Sequence, residues 1–143
     1  MAYLWSDAWI LTAVAIASKE APAELWQILA AADAIDHSLP LDEELHGAFV
    51  RLSDSKHIEE FYGRFKVGSG VPDPLKPLLL RSTTNCMIAE SILASEPRPR
   101  LINVGDSRNQ VRYPSLTSEK IREADKRYRR WLRDESNKAD DES

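Results

Sequence analysis

The chain has 143 residues, 43% hydrophobic and 29% charged, which is the make-up of one globular domain with a single core and excludes a disordered or fibrous chain. No apolar run approaches the ~20 residues of a membrane helix, and the most apolar stretch, residues 8–17, has no basic flank before it, so neither a spanning helix nor a signal peptide is expected. The net charge is −4 and the single cysteine, Cys86, leaves no internal disulfide, so a cytoplasmic location is expected.

Ser6-Asp7 marks a helix start, since hydroxyl and carboxylate can accept free backbone N–H groups. From Trp9 to Ala17 the residues are apolar nearly all round, the pattern of a buried helix ending before Pro22. Pro22 fits the first turn of a second helix, where its missing N–H is not needed. Leu25, Ile28, Leu29, Ala32 and Ile35 give that helix one apolar face, and Pro40 closes it. Asp42, Glu43 and Glu44 gather at the positive end of a third helix whose stripe is Leu45, Phe49 and Leu52.

The period then changes. Residues 57–67 alternate around Gly63, which predicts a short β-hairpin, and Gly68-Ser69-Gly70 with Pro72 and Pro74 is a loop. Residues 75–80 and 86–93 are expected to be helical, with a break near Ser82–Thr84. Residues 101–104 and 111–113 suggest a second small hairpin about Gly105-Asp106. Residues 118–133 predict a helix with Ile121, Ala124, Tyr128, Trp131 and Leu132 on one face. The polar, acidic residues from 136 on are expected to be disordered. The fold class is therefore mainly α (α+β): a winged-helix-like unit over 1–70, a helical extension over 71–135 packed on it as one compact domain, and a tail over 136–143.

Three helices and a hairpin are the chain order of a winged helix. Residues 5–9 (Trp-Ser-Asp-Ala-Trp), 31–37 and 43–52 carry a resemblance to a family of small, uncharacterised bacterial proteins of winged helix-turn-helix character. The resemblance covers residues 5–67 and brings no activity with it. It implies a third helix that would read a DNA groove, with Glu43, Glu44, Gly47, Val50, Arg51 and Asp54 outward. That surface is net acidic, which forfeits phosphate attraction.

Charge is partitioned along the chain. Residues 1–97 hold 7 basic and 14 acidic side chains, residues 98–133 hold 11 and 4, and the last ten hold 1 and 5. On the predicted helix over 118–133 stand Lys120, Arg122, Lys126, Arg127, Arg129, Arg130 and Arg133, and on the hairpin Arg64 and Lys66. These are the candidate nucleic-acid-binding residues, since arginines grip phosphates and aromatics stack on bases. The alternative is a solvated or partner-facing charged helix, with Tyr128 and Trp131 in the core.

For catalysis the sequence offers no recognisable constellation. Asp33/His37 and Asp42/His46 have helical spacing for two metal ligands each, too few for a zinc site; no metal or cofactor is expected. Cys86 has the apolar neighbours of a buried thiol. The leading expectation is thus a binding or interaction protein, acting through protein contact or as a homodimer, without a membrane role. Nucleic-acid binding through the basic helix and wing is the alternative, and an enzyme without recognisable motif a second one.

Overall fold

The computed structural model describes residues 4–80, 86–94 and 112–141. Among the described residues the chain is mostly helical, with one antiparallel hairpin and a long C-terminal helix. Helix α1 (Trp5–Ala17) is the centre: Ala8 to Ala15 are all buried, and it contacts α2, α3, α5 and the hairpin. The Asp7 carboxylate accepts the Leu4 N–H at 2.9 Å, closing the first turn. At the other end the Ser18 hydroxyl donates back to the Val14 carbonyl at 2.6 Å.

Helix α2 (Leu25–Asp36) begins three residues beyond Pro22, with Gln27 Oε1 accepting the Glu24 N–H at 2.8 Å. Ala23 is extended instead of helical. Its N–H donates to the Phe65 carbonyl at 2.7 Å and its carbonyl accepts the Phe65 N–H at 2.8 Å. Two buried backbone bonds to a distant strand outweigh the local preference of Pro22 for a helix start. Leu25, Ile28, Leu29 and Ala32 face the core as their spacing predicts, and α2 ends at His37 in the left-handed region (φ 58°).

Helix α3 (Asp42–Asp54) carries its three carboxylates in the first turn and buries Leu45, Phe49 and Leu52. Strands β1 (Ile58–Phe61) and β2 (Arg64–Val67) pair with Ile58 opposite Val67 and Phe61 opposite Arg64. The loop between them is two residues, Tyr62 (φ 51°) and Gly63 (φ 80°), the φ signs of a type I′ turn. Gly68 then passes so close to the α3–β1 corner that a Cβ would sit 2.3 Å from the Lys56 carbonyl oxygen.

A 3-10 turn (Asp73–Leu75) leads into α4 (Lys76–Leu79), and α5 (Met87–Ala94) packs Ala89, Ile92 and Leu93 into the same core. The expected break at Ser82–Thr84 and residues 101–111 of the expected second hairpin lie outside the described residues. Arg112 and Tyr113 belong to no strand.

Helix α6 (Ser118–Asp141) lies across α2. It runs on to Asp141, into the segment expected to be a disordered tail: residues 118–141 contain no Gly or Pro to stop it, and Lys138 pairs with Glu135 one turn back. Its first half is the more deeply docked, and Trp131 beyond it keeps a ring contact with Trp26 of α2 at 6.2 Å. Ile121, Ala124 and Tyr128 are buried, whereas every side chain from Arg129 to Lys138 is exposed, including Trp131 and Leu132 at 41% and 40%. The apolar stripe therefore divides into a core part and a solvent-facing part. Among the described residues no helix is long and apolar enough to cross a membrane.

A candidate anion-binding cleft between the hairpin tip and helix α6

The segment before α6 fixes the helix relative to the hairpin. Tyr113 rests edge-on against Phe49, ring centroids 5.5 Å apart, and lies 6.2 Å from Phe65. Its N–H donates to His46 Nδ1 at 3.0 Å and its hydroxyl to Glu60 Oε1 at 2.8 Å. Ser115 donates to the same carboxylate at 2.6–2.7 Å. Glu60 on β1 thus ties the start of α6 to the hairpin. Further along, the Tyr128 hydroxyl donates to Asp33 Oδ2 at 2.5 Å, which docks α6 on α2. Burial and the adjacent carboxylate push the Tyr128 phenol up to about 12.

These ties leave an open cleft of about 910 Å³ between the hairpin tip and α6. Its floor is apolar: Leu25, Phe65, Leu116 and Ala124 are buried there. One wall is α6, with Lys120, Glu123, Arg127 and Arg130 in a single row three or four residues apart and Lys126 beside them. The row from 120 to 130 extends about 15 Å. The other wall is the turn Tyr62-Gly63-Arg64.

Arg127 is partly engaged by the protein. Its guanidinium lies 5.1 Å from the Trp26 ring and 3.4 Å from Glu24, whose Oε2 also accepts the Trp26 indole N–H at 2.9 Å. Among the described residues, Arg64, Lys120, Lys126 and Arg130 form no ion pair, and all four are exposed. Four cations facing a concavity with an apolar floor form an electrostatic seat for a negative ligand. Glu119 and Glu123 on the same wall temper it.

Of the nine basic residues singled out in the sequence, Arg64, Lys120, Lys126, Arg127 and Arg130 come together here. Arg122, Arg129 and Arg133 do not line the cleft but share a second row of α6, where Arg129 pairs with Asp125 at 3.0 Å. Lys66 is also separate: it covers the Phe61 ring at 4.8 Å and lines a smaller groove with Lys19 and Lys76. Tyr62 and Trp26 are cleft residues that charge counting passed over. An aromatic beside the turn glycine was the available signal for Tyr62.

The outward surface expected of α3 is present only in part: Glu43 and Asp54 are exposed. Gly47 is buried, and Glu44, Val50 and Arg51 are half-buried. Arg51 is turned inward, its Nε and a terminal nitrogen each 2.7 Å from the two oxygens of fully buried Asp7. A groove-reading role for this helix therefore lacks its one arginine.

The histidines have structural partners. His37 is exposed at the α2 C-cap, where its N–H donates to the Asp33 carbonyl at 2.7 Å. His57 is buried with Nδ1 2.5 Å from Ser55 Oγ. His46 is buried as the acceptor for Tyr113, and burial, with Arg112 adding, holds its pKa below the usual value despite Asp42. Cys86 is fully buried, and that burial pushes its thiol up, so it stays protonated. Among the described residues no group of three or more His, Cys, Asp or Glu is placed to hold a metal ion.

Compared with models of protein families, with curated proteins and with solved structures, the chain finds no match in any of the three.

Proposed function

We propose that this protein is a binding protein of winged-helix character that takes the phosphate backbone of a nucleic acid in the cleft between its hairpin tip and α6. The observation that carries the reading is the convergence on one concavity of Arg64 with Lys120, Lys126 and Arg130, which lie 56 to 66 residues further along the chain. The element order supports the winged-helix character: α1, an extended residue paired to the hairpin, α2, α3, β1, β2. In this reading α6 takes the electrostatic role that α3 lacks, since phosphate contacts supply most non-specific affinity. Fluorescence anisotropy with labelled oligonucleotides at low salt tests it. Binding that Lys126→Glu and Arg130→Glu abolish is the expected result; no binding by the wild-type protein would remove the reading.

A second reading, contact with another protein through self-association, is favoured by Trp131 and Leu132. They continue the buried stripe of α6, Trp131 with its ring 6.2 Å from that of Trp26 on α2 and still 41% exposed, and Leu132 40% exposed. The basic stretch 118–133 and the acidic residues after it would oppose each other in an antiparallel pair of such helices. The two readings use different stretches of α6 and are compatible. Mass in solution at micromolar concentration tests the second, and a strict monomer ends it.

A further inference from the structure

We propose that the nucleic acid held in this cleft is single-stranded, with Tyr62 at the hairpin tip as the surface on which a base stacks. This rests on the reading of the cleft as a phosphate-binding site and goes further by naming the strandedness and the stacking residue. Tyr62 is fully exposed, at 104% of its reference area, so its ring contributes nothing to the core. It also occupies a backbone conformation that disfavours it: φ is 51° at the first position of a two-residue turn, where Asn, Asp or Gly are preferred. A bulky aromatic held at positive φ and in water is a local sacrifice of stability that points to a use outside the fold.

The shape of the site argues for a single strand. A duplex is read by an element that protrudes into a groove, whereas Arg64, Lys120, Lys126 and Arg130 line a concavity between two walls. The element that could protrude, α3, opens with Asp42, Glu43 and Glu44 and has its arginine bound to Asp7. An unpaired strand can place phosphates along the α6 row and turn a base toward the hairpin tip, the combination of basic groove and aromatic platform that suits single strands. Glu119 and Glu123 then gain a role. Carboxylates repel a bare phosphate polymer but accept hydrogen bonds from the exocyclic amino groups of unpaired bases.

The test compares a short mixed-sequence single strand, the same sequence as a duplex, and inorganic polyphosphate, for the wild-type protein and for Tyr62→Asn and Tyr62→Phe. Asn suits the turn, so Tyr62→Asn keeps or raises Tm and the variant folds. The expected result is preference for the single strand, about tenfold weaker binding for Tyr62→Asn, wild-type binding for Tyr62→Phe, and weak competition by polyphosphate. Equal or tighter duplex binding, or no loss with Tyr62→Asn, overturns the inference while leaving the cleft a phosphate site. Polyphosphate competing as well as the single strand overturns it too. Absence of binding to any of the three at low salt removes the parent reading, and the inference with it.

Discussion

Asp7 on α1 and Arg51 on α3 are joined by two hydrogen bonds of 2.7 Å, with the aspartate side chain wholly buried and the arginine 13% exposed. One carboxylate thereby closes the first turn of α1 through Leu4 and pins the last turn of α3. Removing one member of such a pair leaves the other charge without a counterion, which typically costs 3–5 kcal/mol. Arg51→Ala is expected to destabilise the fold by about that amount in urea unfolding. A change below about 1 kcal/mol would mean the pair is no more than a surface bridge.

His46 makes the docking of the segment before α6 sensitive to acid. Its pKa is lowered in the folded state, so between the ordinary value of 6.5 and the lowered one the unfolded chain binds the extra proton. Stability is therefore fully present above pH 6.5 and is lost as pH falls through the folded pKa. A proton on Nδ1 also faces the Tyr113 N–H, donor against donor. His46→Asn keeps an acceptor near that position without titrating. Its stability relative to wild type should improve as pH falls below 6.5, measured by thermal unfolding at several pH values; parallel curves would exclude His46 as the sensing group.

Tyr128 acts at the opposite end of the scale. With its phenol raised from 10 to about 12, the folded state holds the proton that the unfolded chain releases. The stabilisation is complete below pH 10 and disappears as pH climbs through about 12. Tyr128→Phe, which deletes the bond to Asp33, should weaken α6 docking by about 1.5 kcal/mol, the low end for a bond to a charged group. It should also remove this part of the alkaline transition, followed through tryptophan fluorescence because Trp131 stacks on Tyr128, centroids 6.1 Å apart.

Leu132 tests the association reading. Leu132→Glu changes a side chain already 40% exposed, so the monomer should keep its helical content while a dimer shifts to monomer in sedimentation and its Tm loses any dependence on protein concentration. An unshifted mass, with the wild type dimeric, would locate the interface elsewhere.

Much of this fold was legible from period alone. The stripes Leu25–Ile28–Leu29–Ala32 and Leu45–Phe49–Leu52 face the core, and the alternation about Gly63 is the hairpin. The rest depended on contacts that leave no periodic trace. A single residue pair, Ala23 with Phe65, overrode Pro22, and Arg51 turned inward because of an aspartate 44 positions away. Tyr113 is placed by His46 and Glu60, more than 50 residues distant. The site was half legible: local composition exposed the cations of α6 and of the hairpin, but not that Arg64 faces Lys120 and Arg130 while Lys66, two residues on, points to another groove. Alternation in a strand sends neighbours-but-one to the same side, yet Arg64 ends at the turn, where the tip sets its direction.

The salt dependence of single-strand binding tests most directly the proposal that the cleft holds phosphates. If Arg64, Lys120, Lys126 and Arg130 each neutralise one, log K against log salt should fall with a slope of about −3, and each alanine substitution should flatten it by about 0.7. A slope near zero, or one that all four substitutions leave unchanged, would contradict the assignment of this cleft as the nucleic-acid site.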